Sequence, residues 1–378
     1  MFESVTHKSF DYMWRIWRFT GIFPPKNHKW FYNFYAILLN IVCGILSPIS
    51  IFVNLFFVRD IEVLIRTLQF TLYTCTLSFK QFMIYIRMSQ LETAKSCLKQ
   101  LDQRASVNKD ELRYLRKIVK QCRFIIKAIQ LIFVLSFLQY FVSSLVKNRP
   151  FMEGWLSWYS SSSRAHYIIS LAVQVLPIMV QMVQNTASDA FPPVSINLLN
   201  GQIRALCMRV ARIGNDTSKT LDENYTELKL CINDHRNIIS LFNNIKPTIS
   251  QTVLVQLIIT GNVLCLTVFF FLKFNHGSIG QLLATIFNML ATLTVSLPVC
   301  YFGNSLMEET RGLTTAIYKC NWIDQTIKFR KTLIIFMQHS QREHIINAGG
   351  LITINLQTFI AIIRYSFSLF TLLERIEE

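Results

Sequence analysis

The chain has 378 residues, of which 52% are hydrophobic and only 16% charged, with thirty Phe, a formal charge of +16 and a mean hydropathy of +0.35. Soluble domains carry about 25% charged residues, and here the apolar residues lie in long runs rather than at core periodicity. That excludes an ordinary soluble fold, and the continuity of the runs excludes an alternating β-barrel.

In chain order, the first twenty residues mix Phe10, Trp14, Trp17 and Phe19 with Asp11, Arg15 and Arg18. The charges interrupt any signal-peptide core, and the mixture suits a helix at the membrane interface. Gly21-Ile22-Phe23-Pro24-Pro25 then turns the chain toward the first span. Runs that meet or approach the roughly 20 residues a bilayer requires occupy 30–58, 61–88, 124–146, 167–187, 251–272, 281–302 and 348–373. Six are clear on hydropathy. The second contains Arg66 and Lys80 and rests partly on its length; Lys80, near its inner end, is expected to snorkel. Backbone facing lipid must satisfy itself, so the runs are predicted to be helices.

The segments between them alternate in basic content. Lys and Arg number five in 1–29, eleven in 87–127, seven in 189–250 and six in 304–346, together 29 of the 38. The intervening connections hold few. The positive-inside rule therefore places the N-terminus in the cytoplasm and, after seven spans, the C-terminus outside, and it accounts for the +16 charge without nucleic acid. A G-protein-coupled receptor has the opposite topology. Its signatures are also missing: Val146-Lys147-Asn148-Arg149 stands where Asp-Arg-Tyr would, and the last span has no Pro. The triplets Asn215-Asp216-Thr217 and Asn224-Tyr225-Thr226 fall in a cytosolic segment and are not expected to be glycosylated.

The nine cysteines fall in spans or cytosolic segments and are expected to be reduced. None has zinc-type spacing, and His339 and His344, five apart, do not share a helical face. There is no phosphate loop and no nucleophile–base pair, so no enzyme, metal or cofactor is expected. No internal repeat of transporter type is visible. The cytosolic segments carry helical patterns at 92–101, 111–118, 196–210 (after Pro192-Pro193), 221–242 and 306–322, and their apolar faces favour a packed, intersubunit domain over solvated helices. The resulting division is 1–29 N-terminal segment, 30–190 spans one to four, 191–250 cytosolic helices, 251–303 spans five and six, 304–347 cytosolic helices, and 348–378 the last span with a short outer tail.

At 100° per residue, one face of the last span carries Thr358, Ala361, Tyr365, Ser368 and Leu372. The opposite face carries Ile352, Leu356, Phe359, Ile363, Phe367 and Phe370. A polar or small stripe in a membrane helix either packs inside a bundle or lines water. In the second case Leu372 is a hydrophobic constriction that gates by dewetting. Arg364, roughly 13 Å from Leu373, is too deep for easy snorkelling and is expected to meet a polar partner or the lumen.

The C-terminal third resembles the insect odorant receptor family through Cys300, Gly303-Asn304, Tyr318-Lys319-Cys320-Asn321-Trp322, Gln338-His339-Ser340-Gln341, Ala348-Gly349, Thr358-Phe359 and Ser368-Leu369-Phe370-Thr371-Leu372-Leu373. The family's terminal Ser-Tyr-Phe-x-x-Leu pattern has Leu369 in place of Tyr; the early Gly21-Ile22-Phe23-Pro24 also matches. The resemblance covers the whole chain in topology, with motifs dense only after Cys300.

It implies an all-α, seven-transmembrane subunit of a tetrameric, non-selective cation channel in the plasma membrane of sensory-neuron dendrites. A small volatile odorant opens that channel. The moderate loop between spans four and five implies the tuning subunit, partnered in a heterotetramer by a shared co-receptor. Cytosolic helices bearing Tyr318 and Trp322 would form the anchor domain, and Leu372, Ser368 and Tyr365 would line the pore. Arg375, where the family often has a polar residue, would disfavour cations in a ring of four. The ligand would sit in the outer half between spans two to five. Candidates at that depth are Phe70, Tyr73, Phe133, Phe137, Tyr140, Gln174, Ile178 and Phe269, with Pro177 kinking the fourth span beside them. Each aromatic could equally be a packing or lipid contact. A homotetrameric gustatory-type channel is the first alternative, a G-protein-coupled receptor the second.

Overall fold

The computed structural model describes residues 6–23, 29–105, 108–147, 164–274 and 279–377. Pro24, Pro25 and most of the connection after the third span lie outside the described residues. The elements among the described residues are all helical apart from one short hairpin. Helix α1 (Ser9–Phe19) precedes the first span, which is built from α2 (Lys29–Leu39), a π-helical segment (Asn40–Leu46) and α3 (Ser47–Asn54). Then come α4 (Ile61–Ile86), α5 (Met88–Ala105), α6 (Lys109–Lys147), α7 (Arg164–Ala211), α8 (Leu221–Phe274), α9 (Ile279–Tyr318), α10 (Ile327–Ser340) and α11 (Leu356–Glu377). Among the described residues, six of the helical runs are long and apolar enough to cross a membrane. The seventh, α4, has the length, and its charged residues lower its hydropathy.

The π-helical segment has a local cause. Pro48 has no N–H to offer the carbonyls of Cys43 and Gly44. Side chains of neighbouring spans do so instead: Gln181 donates to the Cys43 carbonyl and Ser78 to that of Gly44 at 2.8 Å. The irregular turn is thereby locked against α4 and α7.

Four helices far exceed the hydrocarbon thickness of about 30 Å. At 1.5 Å per residue, the 54 residues of α8 extend about 80 Å. The segments expected below the membrane are thus continuations of spans. Helix α7 passes through Pro177, Pro192 and Pro193 without a break, and α9 runs from the sixth span to Tyr318. Gly214, at φ +79, makes the turn between α7 and α8.

These extensions pack on one another. Leu91, Ala94, Leu98, Leu101 and Ala105 form the buried stripe of α5, which lies along α8. A charged network crosses the bundle: Arg209 bonds Glu111 at 2.6 Å and also Asp234, Arg212 bonds Glu111, and Arg104 reaches Glu227 at 2.9 Å. Burying so many charges is tolerable only because each carboxylate is paired. Helix α1 joins the same core. Its Phe10 and Trp17 rings lie 6.1 and 5.7 Å from that of Phe191, so of the aromatics expected at the lipid interface Phe10, Trp14 and Trp17 are covered by protein and Phe19 stays exposed. Asp102 holds the preceding residues, accepting from the Thr6 and His7 amides.

His235 of α8 is buried in this bundle, edge-on to Phe336 and 6.3 Å from the His344 ring. Burial, reinforced by His344 and His339, lowers its pKa to about 4. The folded state therefore favours the neutral ring, while the unfolded chain takes up a proton near pH 6.5. Stability is complete above that pH and falls as pH drops toward 4, by about 3 kcal/mol in all. Thermal unfolding of wild type and His235→Phe across pH 4–7.5 measures this; the variant is expected to show a flatter profile.

The last apolar run is not one helix. Asn347–Ala348 and Ile352–Thr353 form an antiparallel hairpin, turned by Gly349 and Gly350 at φ +59 and +78. The Gly349 amide donates to the Ser250 carbonyl, and a Cβ there would lie 2.4 Å from Leu254. A Cβ on Gly303 would come within 2.3 Å of the Ile354 carbonyl oxygen. Both glycines let the hairpin dock against α8 and α9. The last span begins only at Leu356, with the Asn355 side chain accepting from the Thr358 amide.

Candidate functional site

Within the membrane-spanning part, α4, α6, α7, α8 and α9 line a cavity of about 180 Å³. Six residues expected at a ligand site line it: Phe70 and Tyr73 from α4, Phe133, Phe137 and Tyr140 from α6, and Ile178 from α7. The Phe70 and Tyr140 rings meet edge to face at 5.2 Å. Tyr73 shares a hydrogen bond of 2.8 Å with Thr292.

Two expected residues are elsewhere. Gln174 lies one turn from Ile178, outside the lining. Phe269 is buried in a separate outer cluster with Ile65, Phe270 and Phe370, where it supports the last helix. The fifth span reaches the cavity only through Gln256, and the wall expected from it is formed by α9 through Asn288, Ala291, Thr292 and Val295. Pro177 sits inside α7 directly before Ile178.

The floor of the cavity is polar. Lys80 does not snorkel: it is 3% exposed, and its ammonium donates to Asp189 of α7, itself 4% exposed, and to the Gln256 carbonyl. The Gln256 amide continues to the Thr260 hydroxyl at 3.3 Å, and Thr260 shares a bond of 2.8 Å with Ser296. Four helices, α4, α7, α8 and α9, are thus joined around one buried ion pair. Along α4 the lining runs from Gln69 to Lys80. That is about 12 to 28 Å from the helix start, so the cavity reaches deeper than the outer half. Above it, Gln69 bonds Thr267 at 3.2 Å and accepts from Asn288 at 3.5 Å. A smaller chamber of about 60 Å³ lies beyond these residues, bordered by Arg66. Arg66 pairs with Glu62 at 2.6 Å and lies 4.8 Å from the Phe270 ring.

The last helix packs on α8 and α9 through Phe359, Ile362, Ser366 and Phe370. Gly261 of α8 makes room for Tyr365, whose ring would lie 2.8 Å from a Cβ there. Otherwise α11 is the least covered span. Ala361 and Ser368 are exposed, with Tyr365 at 51% and Leu372 at 54%, so this stripe is not packed inside the subunit's own bundle. Thr358 departs from it, its hydroxyl donating to the Thr353 carbonyl at 2.6 Å. Of the opposite apolar face, Phe359 and Phe370 are packed while Ile363 and Phe367 are exposed, and Ile352 belongs to the hairpin. Arg364 and Arg375, eleven residues apart and so on one side, are both exposed, and Arg364 has no ion pair among the described residues. At the far end of the chain's long helices, Tyr318 is exposed and Trp322 half-buried, their rings 6.5 Å apart. All nine cysteines are free thiols, and no His/Cys/Asp/Glu cluster among the described residues could hold a metal.

The profile of a family described as 7tm Odorant receptor matches residues 60–367. Odorant receptor 2a of Drosophila melanogaster is 31% identical, covering 99% of this chain and 98% of that protein. Odorant receptor 33b of the same fly is 26% identical over 95% and 94%. Among solved structures, the insect olfactory receptor OR5 from Machilis hrabei superposes with a TM-score of 0.79 at 14% identity, and its complex with eugenol with 0.81 at 15%; each covers 98% of both chains.

Proposed function

The chain belongs to the seven-transmembrane odorant receptor family, and from that premise we propose that it is the odorant-binding subunit of a ligand-gated, non-selective cation channel. The observation that carries this reading is the aromatic cavity lined by five helices of a membrane bundle, with a deep polar floor. Such a cavity suits a small, mostly apolar volatile oriented by a few polar groups. That a distant structural relative is solved in complex with eugenol supports a ligand of this size.

The protein sits in the plasma membrane of a sensory dendrite with its basic end, including α1, α5 and α10, in the cytosol. Residues 191–250 and 304–347 form the anchor there, with Tyr318 and Trp322 facing a neighbouring subunit. The partner is a shared co-receptor in a heterotetramer. The exposed stripe of α11, Tyr365, Ser368 and Leu372, then meets the channel axis, and permeating cations pass Arg375 at its mouth. A ring of four arginines would repel cations, which favours a complex in which this chain supplies fewer than four. Ligand opens the pore to the extent that it binds the open arrangement more tightly.

Whole-cell recording with and without the co-receptor, under G-protein blockade, tests the reading. A fast cation current that requires the co-receptor and survives blockade is expected. Current without the co-receptor would indicate a homomeric channel, and loss of the response under blockade would indicate a metabotropic receptor. Within the functional complex, Tyr140→Ala is expected to raise the EC50 about tenfold, equivalent to about 1.4 kcal/mol. Gln174→Ala, outside the cavity, is expected to leave it unchanged; equal effects would remove the cavity from ligand binding.

A further inference from the structure

The cytosolic part of α6 is basic on one side only. Of its eight exposed positions from Arg113 to Lys127, six are cations: Arg113, Arg116, Lys117, Lys120, Arg123 and Lys127. The others are Gln121 and Phe124, and no Asp or Glu falls anywhere in that stretch. At about 100° per residue, these cations lie within about 60° either side of Lys120, in a stripe about 21 Å long. The opposite face, with Leu115, Ile118, Cys122 and Ile125, is buried against α7 and α9.

The stripe is set apart by its lack of partners. Other cytosolic cations are paired: Lys95 with Asp11, Arg104 with Glu227, Arg209 with Glu111 and Arg311 with Glu343. No cation of the α6 stripe has an ion pair or a side-chain hydrogen bond among the described residues. Arg113 and Lys117, Arg116 and Lys120, Lys120 and Arg123, and Arg123 and Lys127 are neighbours of like sign on the helix surface, and such pairs oppose helix formation. A polyanion would relieve that repulsion. The positive-inside rule accounts for basic residues on this side of the membrane; it does not call for a stripe free of carboxylates.

The position of the stripe identifies the polyanion. Helix α6 enters the third span without a break. Its apolar run begins at Phe124, which stands on the basic face between Lys120 and Lys127 and is 73% exposed. The upper end of the stripe is therefore at the inner surface of the bilayer, and clusters of four to eight Lys and Arg directly cytosolic of a span suit anionic lipid. Headgroups occupy about 5–7 Å beyond the apolar core, so a singly charged headgroup meets only the top turns and brings one charge to several cations. An inositol ring bearing several phosphates projects further and brings more charge, and its oxygens match the donors of Arg and Lys. Residues 191–250 and 304–347, proposed above for the anchor, do not include α6.

We propose that the α6 stripe binds polyphosphorylated inositol lipids of the inner leaflet, with Lys120, Arg123 and Lys127 holding the phosphates nearest the bilayer and Arg116 and Lys117 those that project furthest. The proposal depends on the membrane topology and not on channel activity, so either can fail alone.

The test is thermal stabilisation of the detergent-solubilised full chain, titrated separately with dioctanoyl phosphatidylinositol bisphosphate, dioctanoyl phosphatidylserine, inositol trisphosphate and poly-glutamate. The inositol lipid is expected to act at the lowest concentration, with added salt weakening it. Lys120→Gln with Arg123→Gln is expected to raise its half-saturating concentration about thirtyfold. The charge-keeping exchange Lys120→Arg with Arg123→Lys is expected to retain binding. Lys99→Gln with Lys219→Gln removes the same charge from exposed positions off the stripe and is expected to leave binding unchanged. Equal weakening by the two neutralised pairs would reduce the effect to net charge and overturn the proposal. No stabilisation by the inositol lipid, or serine lipid matching it, would do the same. Inositol trisphosphate binding as tightly as the lipid would mark a site for soluble phosphates, and poly-glutamate as the best probe would mark one for an acidic protein; either overturns the lipid assignment.

Discussion

Lys80→Met alone is expected to destabilise the folded protein by about 3–5 kcal/mol, whereas Lys80→Met combined with Asp189→Leu is expected to stay within about 1 kcal/mol of wild type. The single change leaves the Asp189 carboxylate buried with no cation and the Gln256 carbonyl without its donor. A lone buried charge is far more costly than a paired one, and Asp189→Leu alone strands the ammonium in the same way. The double change removes both ions and fills the space with side chains of similar volume, and such exchanges are often neutral or stabilising. Thermal unfolding of the detergent-solubilised protein, with surface labelling in cells, reads all three variants. Additive losses in the double variant would show that the two residues contribute independently, and that α4 and α7 are not held together by this pair.

The same pair shows which parts of the site were legible beforehand. The continuous apolar runs announced helices, since lipid leaves the backbone no other partner. The second span was ambiguous because Arg66 and Lys80 lower its hydropathy. The structure pairs Arg66 with Glu62 at the part-exposed outer end of α4 and buries Lys80 against Asp189 of α7. The signal was present: Lys80 and Asp189 are opposite charges at the inner ends of two spans, and intramembrane charges usually face a partner. Aromatic spacing and depth brought six of eight expected residues to one cavity. Depth alone does not fix which way a helix faces, so Phe269 went to the α11 contact and the sixth span supplied the wall expected of the fifth.

Two boundaries misled for local reasons. Pro192-Pro193 resembles a break, yet α7 passes through it with α1 packed against the adjoining Phe191. The run from Ala348 resembles a helix, but Gly349 and Gly350 take left-handed backbone and a hairpin forms against Ser250. Only the tertiary neighbour makes that turn favourable, and no periodicity encodes it. Both glycines and Gly303 matter through close approach of backbone, a property that composition does not reveal.

Leu372→Ser is expected to raise ligand-independent current by about tenfold at equal surface density. Leu372 is 54% exposed on a helix that its own subunit barely covers, on the stripe it shares with Tyr365 and Ser368. In the channel proposed above, subunits close around an axis and bury that surface against its neighbours. Burying a Leu is worth about 1.5–3 kcal/mol. Losing roughly 1.4 kcal/mol of it in the closed state shifts the closed–open ratio tenfold, and a hydroxyl also wets a constriction that otherwise excludes water. Phe367→Ser is the control: it is exposed at 67% on the apolar side of the same helix and is expected to leave basal current unchanged. Arg375 lies about 4.5 Å further along the axis from Leu372, so Arg375→Gln is expected to increase cation conductance without opening the channel. Basal current from Phe367→Ser but not Leu372→Ser would mean that the helix presents its other face to the axis. No change in conductance with Arg375→Gln would place that charge away from the ion path.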